Sequence, residues 1–186
     1  SPFVSMYKEL QPCKLLKYSG GNIITGRDKE IDEVLTTLSK KNKRGVILVG
    51  EPGTGKTSIV QAINAKLIEH NVPRKLIGCS IFNMDVPYIF SKNKEDPVGT
   101  IVNILETANH YDKAILFIDE VHQLLGHKMN DLMKPYLTEQ MRFIGSTTLN
   151  EYYNIITNDT ALERRFTVIM VDEPNINKTI EMVKNT

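Results

Sequence analysis

Apolar and polar positions recur with two different periods along this chain, and the switches between them outline its elements. Ile31, Val34, Leu35 and Leu38 fall at i, i+3, i+4 and i+7, one face of a helix. Thr25 and Asp28 stand at its start with the spacing of a capping box, Asp replacing the usual Glu. Val46-Ile47-Leu48-Val49 is a short, mostly β-branched run that predicts a strand buried on both faces. Ile59, Val60, Ile63 and Leu67 then share a helical face, and Pro73 closes that region. Residues 76–82 predict a second strand. Asp96-Pro97 is an N-cap and first-turn pair, and Val98, Ile101, Val102 and Leu105 mark the helix it starts. Ile115 to Ile118 predicts another buried strand. Residues 131–139 predict a helix kinked, or started early, at Pro135. Residues 141–146 and 166–171 predict two further strands. Residues 1–22 carry Pro2, Pro12, Gly20 and Gly21 and no sustained period, so they predict an extended lead-in. Strands alternating with helices make a parallel sheet covered on both faces.

Length and charge narrow the class. The 186 residues suffice for one domain with its own core. Lys+Arg is 23 and Asp+Glu 22, so the net charge is +1. That balance excludes a nucleic-acid coat and an acidic tail, and leaves room only for local patches. One such run, Lys40 to Arg44, reads as a solvated turn. The longest unbroken apolar run, Ala114 to Ile118, is too short to span a membrane, and no signal peptide is visible. Cys13 and Cys79 are too far apart in the sequence to make a metal-ligand pair, so a reduced, cytoplasmic compartment is the expectation.

Two segments carry chemistry. Gly50-Glu51-Pro52-Gly53-Thr54-Gly55-Lys56-Thr57 matches G-x-x-x-x-G-K-[ST], with a predicted strand before it and a helix after. The glycines let backbone N–H groups turn inward as an anion nest, and the helix presents its positive end to phosphates. Lys56 is expected at the β and γ oxygens and the Thr57 hydroxyl on Mg²⁺. The phosphate-binding set is thus Gly50, Pro52, Gly53, Thr54, Gly55, Lys56, Thr57 and Ser58. The second segment, Ile115 to Glu120, is a buried strand ending in two carboxylates, where a parallel sheet presents ligands. Asp119 is expected to hold Mg²⁺ through water. Glu120 is expected to orient and deprotonate the attacking water.

With these motifs in place the sequence resembles the first AAA+ module of the Clp-type unfoldases and disaggregases. The matching stretches are Thr25 to Ile31, the phosphate loop, Ile115 to His122, Leu132 to Pro135, Ile144 to Tyr152 and Ala161 to Phe166. The resemblance implies an α/β, three-layer P-loop NTPase with a five-stranded parallel sheet. It implies a large subdomain over residues 23–173, after the lead-in of 1–22, and the start of a helical lid over 174–186. It also implies site roles. Ile24, Thr25 and Gly26 line the adenine. Thr148 is the polar sensor of the γ-phosphate. Arg164 and Arg165 are arginine fingers that reach a neighbouring subunit's nucleotide. Two of these assignments have rivals in the residues themselves. Thr148 and Glu151 have capping-box spacing, and Arg164 and Arg165 suit a helix C-terminus. His122 and the Tyr152-Tyr153 pair read as packing residues.

The sequence departs from the family on what the resemblance makes the channel face. Asn93 falls where the family carries a chain-gripping aromatic. Tyr88 and Phe90 lie nearby, but their alternation about Ile89 suits a buried segment. Gly126 to Asn130 replaces a longer loop. The implied function is Mg²⁺-dependent ATP hydrolysis that drives protein remodelling in a homo-oligomeric ring, a hexamer by resemblance. The 186 residues alone are expected to be largely monomeric and to bind nucleotide weakly. The alternative is a nucleotide-gated assembly or regulatory module that binds ATP and threads nothing. A nucleic-acid remodeller has only Lys40 to Arg44 and Lys92/Lys94 behind it. The expected partners are therefore ATP or ADP and a protein, not nucleic acid and not a membrane.

Overall fold

A computed structural model describes residues 1–19 and 26–173. The expectations for Ile24 and Thr25 at the adenine, and for a lid over 174–186, lie outside the described residues.

Among the described residues five strands run parallel, as expected. They are β2 (Gly45–Val49), β3 (Ser80–Asn83), β4 (Ala114–Ile118), β5 (Arg142–Thr147) and β6 (Phe166–Met170). A sixth, β1 (Lys14–Leu15), pairs antiparallel with β3, and the sheet order is β1-β3-β4-β5-β2-β6. Every residue of β2 and β4 is buried, which is why both read as continuous apolar runs rather than alternating ones. The strand period still divides the core. Ile47, Val49, Leu116 and Ile118 face one apolar layer, and Val46, Leu48, Ile115 and Phe117 face the other. Helices α2 (Asp28–Leu38) and α3 (Lys56–Ile68) cover the second layer. Helix α5 (Pro97–His110) covers the first, together with the short helices α6 (His122–Leu125) and α7 (His127–Met133).

Several expectations are corrected here. The lead-in is not simply extended. Pro2–Glu9 is helix α1, capped by the Ser1 hydroxyl, which accepts from Val4 N–H, with Pro2 in the first turn. It buries Met6, with Leu10 just beyond, too few positions to show a period. The chain then lies along the free edge of β3, where Leu16 N–H donates to Ile81 O at 2.8 Å. Asn64 of α3 holds it there, its amide donating to the carbonyls of Leu16 and Lys17 at 3.2 Å each. The second parallel strand begins at Ser80 rather than residue 76, because residues 74–76 form a 3₁₀ turn. Helix α7 ends at Met133, two residues before Pro135, whose ring disfavours helical backbone at the preceding residue. Finally, Tyr88 and Phe90 do not lie in a buried segment. They belong to helix α4 (Val86–Lys92), N-capped by Asp85. A helix turns successive side chains apart, so Ile89 is 2% exposed while Tyr88 is 38% and Phe90 42% exposed.

Candidate functional site

The residues of the phosphate motif link β2 to α3 at the carboxyl ends of the strands. Gly53 and Gly55 take φ of +84° and +103°, a region that other residues enter at a cost. At Gly50 the constraint is space, since a Cβ would stand 2.4 Å from the Val171 carbonyl oxygen. Thr54 closes the turn, its N–H and hydroxyl both reaching the Glu51 carbonyl, at 3.2 and 2.8 Å. Helix α3 starts after Gly55 with no side-chain cap, so its first N–H groups are left for an anion. Pro52 and Thr57 are exposed and Ser58 half-buried. Lys56 lies back on backbone carbonyls, donating to those of Gly50 and, at 3.2 Å, Thr147. Burial lowers its pKa below that of an ordinary lysine, against the upward pull of the Asp119 and Glu51 carboxylates.

Asp119 and Glu120 follow β4. Asp119 Oδ1 accepts from the Ser146 hydroxyl of β5 and from Glu120 N–H at 3.0 Å. Its other oxygen accepts no hydrogen bond among the described residues. Glu120 has φ of 52°, rare for a non-glycine residue and typical of the strain found at active sites. Its Oε2 accepts from the Gln123 amide at 3.1 Å. Thr57, Asp119 and Glu120 line one cavity of about 310 Å³, with Asn83, Asp85 and Gln123. The two motifs are therefore brought together. The donor set also fits Mg²⁺, an oxygen-seeking ion that keeps several waters and takes one or two protein oxygens beside phosphate.

The remaining residues divide. Thr148 caps a one-turn helix, α8 (Leu149–Glu151), its hydroxyl accepting from Glu151 N–H at 3.3 Å, so the capping rival is realised. Arg164 is exposed and its side chain makes no hydrogen bond or ion pair among the described residues, while Arg165 donates to the carbonyls of Lys134 and Leu137. Gly26 has φ of +85° just before α2. Tyr152 is buried and donates to Glu163 at 3.2 Å, whereas Tyr153 is exposed. His122 is a hydrogen-bonding residue rather than packing alone, its Nδ1 lying 2.9 Å from Thr147 Oγ1. Sequence reasoning missed Gln123, Ser146, Thr147 and Arg27. Only the fold brings them to the site, although Ser146 and Thr147 sit at the end of a predicted strand, where ligands gather.

Comparison with known proteins gives the family. Residues 46–174 match the family described as ATPase family associated with various cellular activities (AAA). The chain belongs to that family of ATPases, and nucleotide binding comes with it. Within the family it is a Clp-type AAA+ module. It is 36% identical over 174 residues to the chaperone protein ClpB of Bdellovibrio bacteriovorus, covering 87% of this chain and 20% of that protein. It is 36% identical over 171 residues to the Clp protease ATP-binding subunit ClpC of Staphylococcus saprophyticus, covering 87% of this chain and 21% of that one. The solved structure of the S. cerevisiae Hsp104–ADP complex superposes with a TM-score of 0.76 at 34% identity, over 87% of this chain and 24% of that chain. A closed-state reconstruction of Hsp104 with ATPγS and FITC casein gives 0.75 at 31% identity, over 98% and 31%. The chain thus spans about a fifth of the length of these curated relatives.

Proposed function

We propose that the chain hydrolyses ATP and uses that energy to remodel proteins from within a homo-oligomeric ring. The observation behind this is the meeting of Thr57, Asp119 and Glu120 at one cavity, with Lys56 beside it. On binding, Lys56 exchanges its backbone carbonyls for the β and γ phosphate oxygens, and the N–H groups at the start of α3 take the rest of the charge. Thr57 and Asp119 would hold Mg²⁺, which would supply neutralising charge at the phosphates. Glu120 accepts the proton of the attacking water, while Gln123 steadies its carboxylate. Thr148 reports the γ-phosphate from the mouth of α8. Of the two arginines, Arg164 is the one free to reach a neighbouring subunit's nucleotide, and Arg165 anchors the turn behind it. Adenine contacts fall to Ile24, Thr25 and Gly26. The relatives named above include a reconstruction containing casein, which favours a polypeptide substrate. We place the protein in the cytoplasm, where the buried thiols Cys13 and Cys79 stay reduced. Among the described residues no helix is long and apolar enough to cross a membrane.

A second reading keeps ATP binding and drops threading. It is favoured by the turn between α4 and α5. There Asn93 donates to Thr100 Oγ1 at 2.5 Å and accepts from Asp96 N–H at 3.2 Å, so the residue at the family's aromatic position is tied down. Turnover per subunit against protein concentration, with and without casein, separates the readings. A rate that climbs with concentration and rises with casein supports ring-borne remodelling. ATP binding with no casein response supports the assembly module, and no ATP binding overturns both.

A further inference from the structure

Arg27 is 1% exposed, and a guanidinium that deep is costly unless every donor is met. Its partners come from widely separated parts of the chain. Nη2 donates to the carbonyl of Thr54, within the phosphate loop, at 2.6 Å. The same nitrogen donates to the carbonyl of Asp172, just past the end of β6, at 2.5 Å. Nη1 lies 3.4 Å from Glu30 Oε1. Arg27 also directly follows Gly26, the end of the segment assigned to adenine. The end of β2, just ahead of the loop, is in backbone contact with the exit as well, since Val171 N–H donates to Val49 O at 2.7 Å.

The Thr54 contact acts on phosphate through one peptide unit. In a trans peptide the N–H points opposite to the C=O. With the Thr54 carbonyl held by Arg27, the Gly55 N–H points away from the guanidinium, and it has no protein acceptor among the described residues. A cation on the carbonyl polarises the peptide and strengthens that N–H as a donor. We infer that Arg27 is a positioning residue that sets the phosphate loop and couples its occupancy to the chain leaving the sheet at Asp172. This rests on the reading of the loop as a nucleotide site.

The test uses ADP as the probe, with hydrogen exchange and affinity measured on the wild type, Arg27→Met and Arg27→Lys. In the wild type, saturating ADP protects the amides of residues 53–57 and, with them, those of 172–173. Arg27→Met keeps the stem and removes the donors, so ADP affinity falls about tenfold or more, the loss of one charge-assisted bond. At saturating ADP the loop is again protected in this variant but residues 172–173 are not. Arg27→Lys retains the charge, but its nitrogen ends one bond short and cannot bridge both carbonyls, so it uncouples in the same way. It also serves if the Met variant does not fold. A merely structural arginine would lower the nucleotide-free melting temperature and leave the joint protection intact. Joint protection and wild-type affinity in either folded variant overturn the inference. A wild type that binds no ADP overturns it together with the nucleotide reading, and the two failures are distinct.

Discussion

Arg164 and Arg165 are neighbours with identical chemistry, and the fold holds them differently. Arg165 Nη1 donates to the carbonyls of Lys134 and, at 3.3 Å, Leu137, in the turn after α7. Hydrogen bonds from a charged donor contribute about 1.5–3 kcal/mol, and Arg165→Ala also leaves two half-buried carbonyls unpaired. At about 2–4 °C per kcal/mol for a chain of this size, its melting temperature should fall by roughly 3–12 °C. The Arg164 side chain is exposed and makes no such contact among the described residues, so Arg164→Ala should stay within about 0.5 kcal/mol of the wild type. Its cost should appear in turnover, where removing a trans arginine finger costs about 10³-fold or more. Thermal melting and ATPase assays on the assembled protein read the two effects separately. Mixing sharpens the result. An Arg164→Ala subunit keeps Glu120, and a Glu120→Gln subunit keeps Arg164, so mixed rings should recover activity that neither variant has alone. A stable Arg165→Ala, or mixed subunits as inactive as their parents, would refute the division of roles.

Other consequences can be checked individually. Gly50→Ala drives a Cβ to 2.4 Å from the Val171 carbonyl oxygen, so calorimetry should show a loss of nucleotide binding and about 1–3 kcal/mol of stability. Burial lowers the Lys56 pKa, whereas bound phosphate favours the charged form. Nucleotide affinity should therefore decline with rising pH from a point below the ordinary lysine value of 10.5, and Lys56→Met should abolish that decline in a binding titration. Folding itself favours uncharged Lys56, so its stability penalty applies at lower pH and fades as pH rises through the folded pKa. Asn64→Ala frees the Leu16 and Lys17 carbonyls, and limited proteolysis should then cut the lead-in first, with a stability loss of about 1–3 kcal/mol.

Legibility from sequence followed locality. Strands β2 and β4 were readable because burial on both faces writes a continuous apolar run. The start of α5 was readable because Asp96 and Pro97 are a local cap, and Asp96 Oδ1 does accept Gly99 N–H at 2.9 Å. The phosphate loop was readable because its glycine positions answer to backbone geometry and close approach. What escaped depends on partners distant in sequence. Strand β1 exists only because β3 offers a free edge and Asn64 two donor contacts. The exposure of Tyr88 and Phe90 turned on whether a seven-residue segment was strand or helix, which a short apolar run does not decide. Arg27 meets a carbonyl 145 positions later, and no local pattern announces that contact.

On the proposed reading, Glu120 is the base for ATP hydrolysis at the cavity it shares with Thr57 and Asp119. The direct measurement is ATP affinity and single-turnover hydrolysis in the wild type and in Glu120→Gln, within the assembled protein. Affinity should stay within a few-fold of the wild type while hydrolysis slows about 10²- to 10⁴-fold. Hydrolysis at the wild-type rate in Glu120→Gln would contradict it.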